Sequence, residues 1–65
     1  MFRELDRRVS GDDIIALFWD DERGCGELVI ERAGETWTRV LPPHKVADAM
    51  RHPYVYLPQS ALVAA

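Results

Sequence analysis

The six residues Ile14-Ile15-Ala16-Leu17-Phe18-Trp19 are all apolar, and an acidic pair closes each end, Asp12-Asp13 before and Asp20-Asp21 after. A run this short, rich in β-branched and aromatic types and sharply bounded, suits a strand buried on both faces better than an amphipathic helix. In a strand, Ile14, Ala16 and Phe18 point to one side and Ile15, Leu17 and Trp19 to the other. A chain of 65 residues can cover one of those faces with its own helix, but hardly both.

Length sharpens the problem. A domain this small buries only about 60% of the surface its unfolded chain exposes, and its core rarely supplies more than about 3–5 kcal/mol. Disulfides and metals are the usual supplements. The single cysteine, Cys25, has no internal partner, and His44 and His52 lack the second thiol of a zinc site. No metal or cofactor is therefore expected, which leaves a partner subunit or unusually good packing. With 48% hydrophobic and 29% charged residues, the composition is globular. A net charge of −3 disfavours general nucleic-acid binding, which rests on Lys and Arg neutralising phosphates. The sequence shows neither a signal-peptide pattern nor an apolar run approaching membrane-spanning length, so no membrane association is expected and a cytoplasmic location is the default.

Met1–Ser10 reads two ways. Phe2, Leu5 and Val9 recur at helical spacing, while Leu5, Arg7 and Val9 alternate as in an edge strand. The Ser10-Gly11-Asp12-Asp13 turn signal favours the strand, hairpinned onto the apolar run, with arginines blunting its free edge. Asp20–Gly26 is expected as a hairpin loop, followed by an alternating strand over Glu27–Arg32. A second turn at Arg32-Ala33-Gly34-Glu35 relies on Gly34 taking positive φ, and Thr36–Leu41 reads as a further strand. Pro42-Pro43 stops the sheet and opens a short helix over His44–Arg51, whose apolar stripe is Val46, Ala47 and Met50. His52-Pro53 ends it, and Tyr54–Pro58 is expected to run extended over the sheet or helix. Residues 1–58 form one domain in this reading, with 59–65 a flexible tail.

Pairing Trp19 with Leu28 gathers Ile15, Leu17, Trp19, Leu28 and Ile30 on one face, the better candidate to meet Val46 and Met50. Ile14, Ala16, Phe18 and Val29 fall on the other, with Glu31 near its margin. A two-residue Ala33-Gly34 loop, the preferred reading, adds Trp37 and Leu41 to the first face. A three-residue loop moves both across, because a one-residue slip inverts every side chain. Either register leaves an apolar face that one helix cannot cover. Such a surface usually marks an interaction site, here Ile14, Phe18, Val29 and Val40, unless the N-terminal segment or Tyr54–Leu57 covers it within the chain.

Residues capable of chemistry are scattered. Asp20, Asp21 and Glu22 lack the alternating oxygens and glycine of a calcium loop and read as solvated charge. Cys25 is expected at the exposed hairpin tip, near Arg23 but without a sequence-adjacent base. His44 and His52 flank the helix, where surface and capping roles are commoner than catalysis. Phosphate loop, dinucleotide fingerprint and nucleophile elbow are all missing from the sequence.

The apolar strand Ile14–Trp19, the Gly34-Glu35 turn before an aromatic, and the run from Pro42-Pro43 through Ala47-Asp48-Ala49 to His52-Pro53-Tyr54 together resemble a group of small uncharacterised actinobacterial proteins. The resemblance spans roughly residues 11–56 and departs at Gly24-Cys25-Gly26 and at Met50, where an aromatic is expected. It implies a β-meander followed by a helix and transfers no functional residue.

The sequence thus predicts an α+β domain, a three- or four-stranded antiparallel β-meander with one short C-terminal helix packed on one face. The function expected is a non-enzymatic protein–protein interaction module, a homodimer through the second face or a docking site for another protein, with no small-molecule ligand. The alternative is a nucleic-acid-binding regulator, which requires Arg3, Arg7, Arg8, Arg32 and Arg39 to converge on one surface. A hydrolase or redox enzyme would need Cys25 and a histidine to meet in a cleft.

Overall fold

The computed structural model describes residues 1–56. It is an α+β meander of four antiparallel strands in the order β1-β2-β3-β4, namely β1 (Phe2–Ser10), β2 (Asp13–Asp20), β3 (Cys25–Arg32) and β4 (Glu35–Leu41). The helix predicted over His44–Arg51 divides into a 3₁₀ turn, Pro43–Lys45, and the six-residue α1, Val46–Arg51. The tail expected at 59–65 lies outside the described residues.

The apolar run is β2, and it takes the centre with β3. Ile15, Leu17, Leu28, Ile30 and Leu41 are buried on one face together with Ala49 and Tyr56, and Trp37, Val46, Met50 and Tyr54 pack against them. Burying side chains of this size contributes about 1.5–3 kcal/mol each. The two-residue loop sets this arrangement. Arg32 pairs with Glu35, while Ala33 and Gly34 both hold positive φ, 51° and 83°, as a type I′ turn demands. Trp37 and Leu41 accordingly face the helix.

Four details depart from the sequence reading. The first hairpin pairs Leu17 with Leu28 and sets Trp19 opposite Gly26, a shift of two residues. The side chain of Asp20 accepts N–H bonds from Glu22 and Arg23 at 3.0 and 3.3 Å, Gly24 turns at φ 63°, and β3 starts early at Cys25. An even shift preserves both faces. Cys25 is consequently half-buried in β3 instead of exposed at a tip.

On α1 the inward residues are Val46, Ala49 and Met50, with Ala49 fully buried and Ala47 exposed. Finally, Pro53–Tyr56 is a 3₁₀ turn, not an extended segment. The Val55 amide donates to the His52 carbonyl at 3.2 Å, and the two tyrosine hydroxyls are drawn back to Asp13 and Asp48.

Candidate interaction face

Helix and 3₁₀ turns pack on the Ile15–Leu17 side, so the opposite face of the sheet is open among the described residues. Cross-strand pairing defines its rows as Glu4–Phe18–Glu27–Val40, Arg7–Ala16–Val29–Thr38 and Val9–Ile14–Glu31–Thr36. Ile14, Phe18, Val29 and Val40 therefore share one face. Val40 is 47% exposed and Ile14 36%, while Phe18 and Val29 are half-buried between their neighbours.

The N-terminal segment does not fold over this face; it runs as β1, and Tyr54 and Tyr56 pack on the other side. What β1 does supply is Phe2, unassigned from sequence. An irregularity at Leu5, between Glu4 and Asp6, switches the alternation and brings Phe2 onto the open face. There its ring meets Phe18 edge-on at 6.3 Å, an arrangement aromatic quadrupoles favour. Phe2, Phe18 and Glu27 line a hollow of about 250 Å³.

Charge on the face is uneven. Glu4 and Arg7 pair at 2.7 Å, whereas Glu27 and Glu31 have no ion-pair partner among the described residues. The face thus carries three carboxylates and one guanidinium among its apolar residues, with Glu27 seated between Phe18 and Val40.

The arginines do not gather on the open face. Arg7 alone lies there, while Arg3, Arg8, Arg32 and Arg39, paired with Trp19, Ile15, Asp13 and Leu28, lie on the opposite one, where the helix and 3₁₀ turns pack. The Arg39 guanidinium donates to the Tyr56 carbonyl at 3.0 Å. Arg32 is committed to Asp13 through bonds of 2.6 and 2.9 Å. Cys25, in alternation with Glu27 and Val29, faces the open side, whereas His44 and His52 flank α1 across the sheet. No nucleophile–base pair forms between them. Among the described residues no cluster of metal-ligating side chains is present, and no helix is long and apolar enough to cross a membrane.

Polar order is concentrated on the helix side. The buried Asp13 carboxylate takes both Arg32 bonds and the Tyr54 hydroxyl. Chiefly the Arg32 bonds, and then Tyr54, lower its pKa to about 2. Burial, followed by the bond to Asp13, raises that of Tyr54. Asp48 is lowered mainly by the Tyr56 hydroxyl, and Tyr56 is raised mainly by Asp48. The carboxylates and hydroxyls are matched to one another and belong to the architecture, while Arg32 Nη1 is buried without a hydrogen-bond partner among the described residues.

No family model matches the chain, and neither does any curated protein or solved structure.

Proposed function

We propose that the protein is a non-enzymatic interaction module whose open sheet face docks another protein. The observation carrying this reading is the uncovered apolar field of Phe2, Ile14, Phe18, Val29 and Val40, with a shallow hollow between Phe2 and Phe18. Contiguous apolar surface rimmed by polar groups is how docking sites differ from ordinary protein surface. The carboxylates of Glu27 and Glu31 select the occupant. A second copy laid face to face would bring carboxylates against carboxylates, whereas a partner presenting Lys or Arg beside an apolar anchor finds complementary charge. Aromatic rings beside a carboxylate, as at Phe18 and Glu27, favour a cation both electrostatically and through the ring face.

The test is Phe18→Glu and Val29→Glu in the full chain. Both side chains are half-exposed, so the thermal midpoint should move only a few degrees. A partner captured from the source cells by the parent chain should lose about tenfold or more in affinity, the cost of truncating an interface anchor. Unchanged capture by both folded variants would remove the reading.

A further inference from the structure

The two edges of the sheet are built differently. β1 carries five charges, Arg3, Glu4, Asp6, Arg7 and Arg8, and an irregularity at Leu5. Charge and bulging are how natural sheets keep an edge from pairing with another chain. β4 has neither device. Its register with β3 is unbroken from Gly26↔Leu41 to Arg32↔Glu35, it contains no proline, and Glu35 and Arg39 are its only charges. Thr36, Thr38 and Val40 are exposed. The described residues pair β4 on one side only.

We infer that β4 pairs antiparallel with β4 of a second copy, about a two-fold axis at Thr38, making one eight-stranded sheet from two chains. This pairing uses the backbone edge of β4, whose Thr36, Thr38 and Val40 side chains also lie on the open face, so it would set the open faces of the two copies side by side without covering either. The geometry follows from the turn. A two-residue turn hydrogen-bonds Arg32 to Glu35, so Trp37, Arg39 and Leu41 also turn their backbone groups toward β3. Thr36, Thr38 and Val40 therefore point N–H and C=O outward. Centred on Thr38, Thr36 meets Val40 of the second copy and Thr38 meets its own equivalent, so every outward donor finds an outward acceptor. No other centre on this strand leaves both copies fully matched.

Side chains agree with that register. Trp37 of each chain faces Arg39 of the other in a non-hydrogen-bonded pair, where side chains lie closest, and a guanidinium over an indole is the favoured cation–aromatic contact. Glu35 of each chain comes beside Leu41 of the other, next to the hollow that Leu41 lines with Arg39, Lys45 and Asp48. The Asp48 carboxylate there accepts the Tyr56 hydroxyl, which leaves the Arg39 and Lys45 cations to meet Glu35.

The experiment is solution mass by light scattering over a concentration range, with hydrogen exchange on the same samples. The parent chain should reach twice its monomer mass. Amides of Thr36, Thr38 and Val40 should slow by about tenfold or more as the dimer forms, as amides do on entering a ladder. Thr38→Lys places two ammonium groups face to face at the axis, and Thr38→Pro removes the central donor without touching the β3 ladder. Either should yield a folded monomer, while Phe18→Glu should leave the dimer intact. A parent chain that stays monomeric, or a dimer that survives both Thr38 variants, overturns the inference. So does a dimer that Phe18→Glu dissociates, which would instead place the second copy on the open face.

Discussion

Ala33 holds φ at 51° beside Gly34 at 83°. An L-residue with a Cβ pays about 1–2 kcal/mol for the left-handed region, and Asn, whose side chain bonds locally, pays less. Asn-Gly is also the preferred pair of a type I′ turn. Ala33→Asn should therefore stabilise the chain by about 0.5–1 kcal/mol, read as a higher urea midpoint at unchanged slope. A lower midpoint would mean that the turn is held by something other than its own dihedrals. The same residue explains why sequence left the β4 register open. Gly34 announced a turn, but alanine states no preference between a two-residue and a three-residue loop. The side on which Trp37, Val40 and Leu41 lie hung on that choice.

Among the elements, α1 is six residues long and far too short to hold itself by propensity, so its place depends on what it packs against. Gly26 sets that place. A Cβ there would lie 2.7 Å from Cγ2 of Val46, and valine is stiff at χ1. Gly26→Ala should lift α1 from the sheet and cost about 1–3 kcal/mol, the usual penalty of overpacking. Pairing it with Val46→Ala should recover part of the loss, and chemical denaturation of the single and double variants would measure the recovery. An equal loss in both would place the strain elsewhere. Alternation alone marked Ile14, Phe18 and Val29 as one face, because period two survives a two-residue error in pairing. It did not find Gly26, which reads as loop sequence until β3 begins a turn early. Nor did it find Phe2, which reaches the open face only through the irregularity at Leu5. The Tyr54–Tyr56 segment was legible as apolar and not as a turn, since its shape comes from hydroxyl bonds to Asp48 in the preceding helix and to Asp13, far away in sequence.

At the scale of the whole molecule those bonds close the chain. Tyr54, past the helix, donates to Asp13 at the start of β2, 41 residues earlier, and Arg32 at the end of β3 holds the same carboxylate. Three parts of the chain thus meet on one buried charge. Its folded pKa, about 2, lies below the ordinary 3.8, so folding favours the ionised form. The stabilisation is present at neutral pH and is lost as pH falls from about 4 toward 2. For Tyr54 the sign reverses: its pKa is raised, so its contribution holds below the ordinary value of 10 and is lost as pH rises beyond its folded value. Asp13→Asn should be less stable than the parent at pH 7, with the gap closing between about pH 4 and 2, where the parent loses the same charge. Tyr54→Phe should keep most of the acid transition, because Arg32 remains, but should flatten the alkaline limb. Urea midpoints of the three chains from acid to alkaline pH would separate these outcomes. A gap between parent and Asp13→Asn that stays constant down to about pH 2 would mean that the carboxylate is not what draws the three segments together.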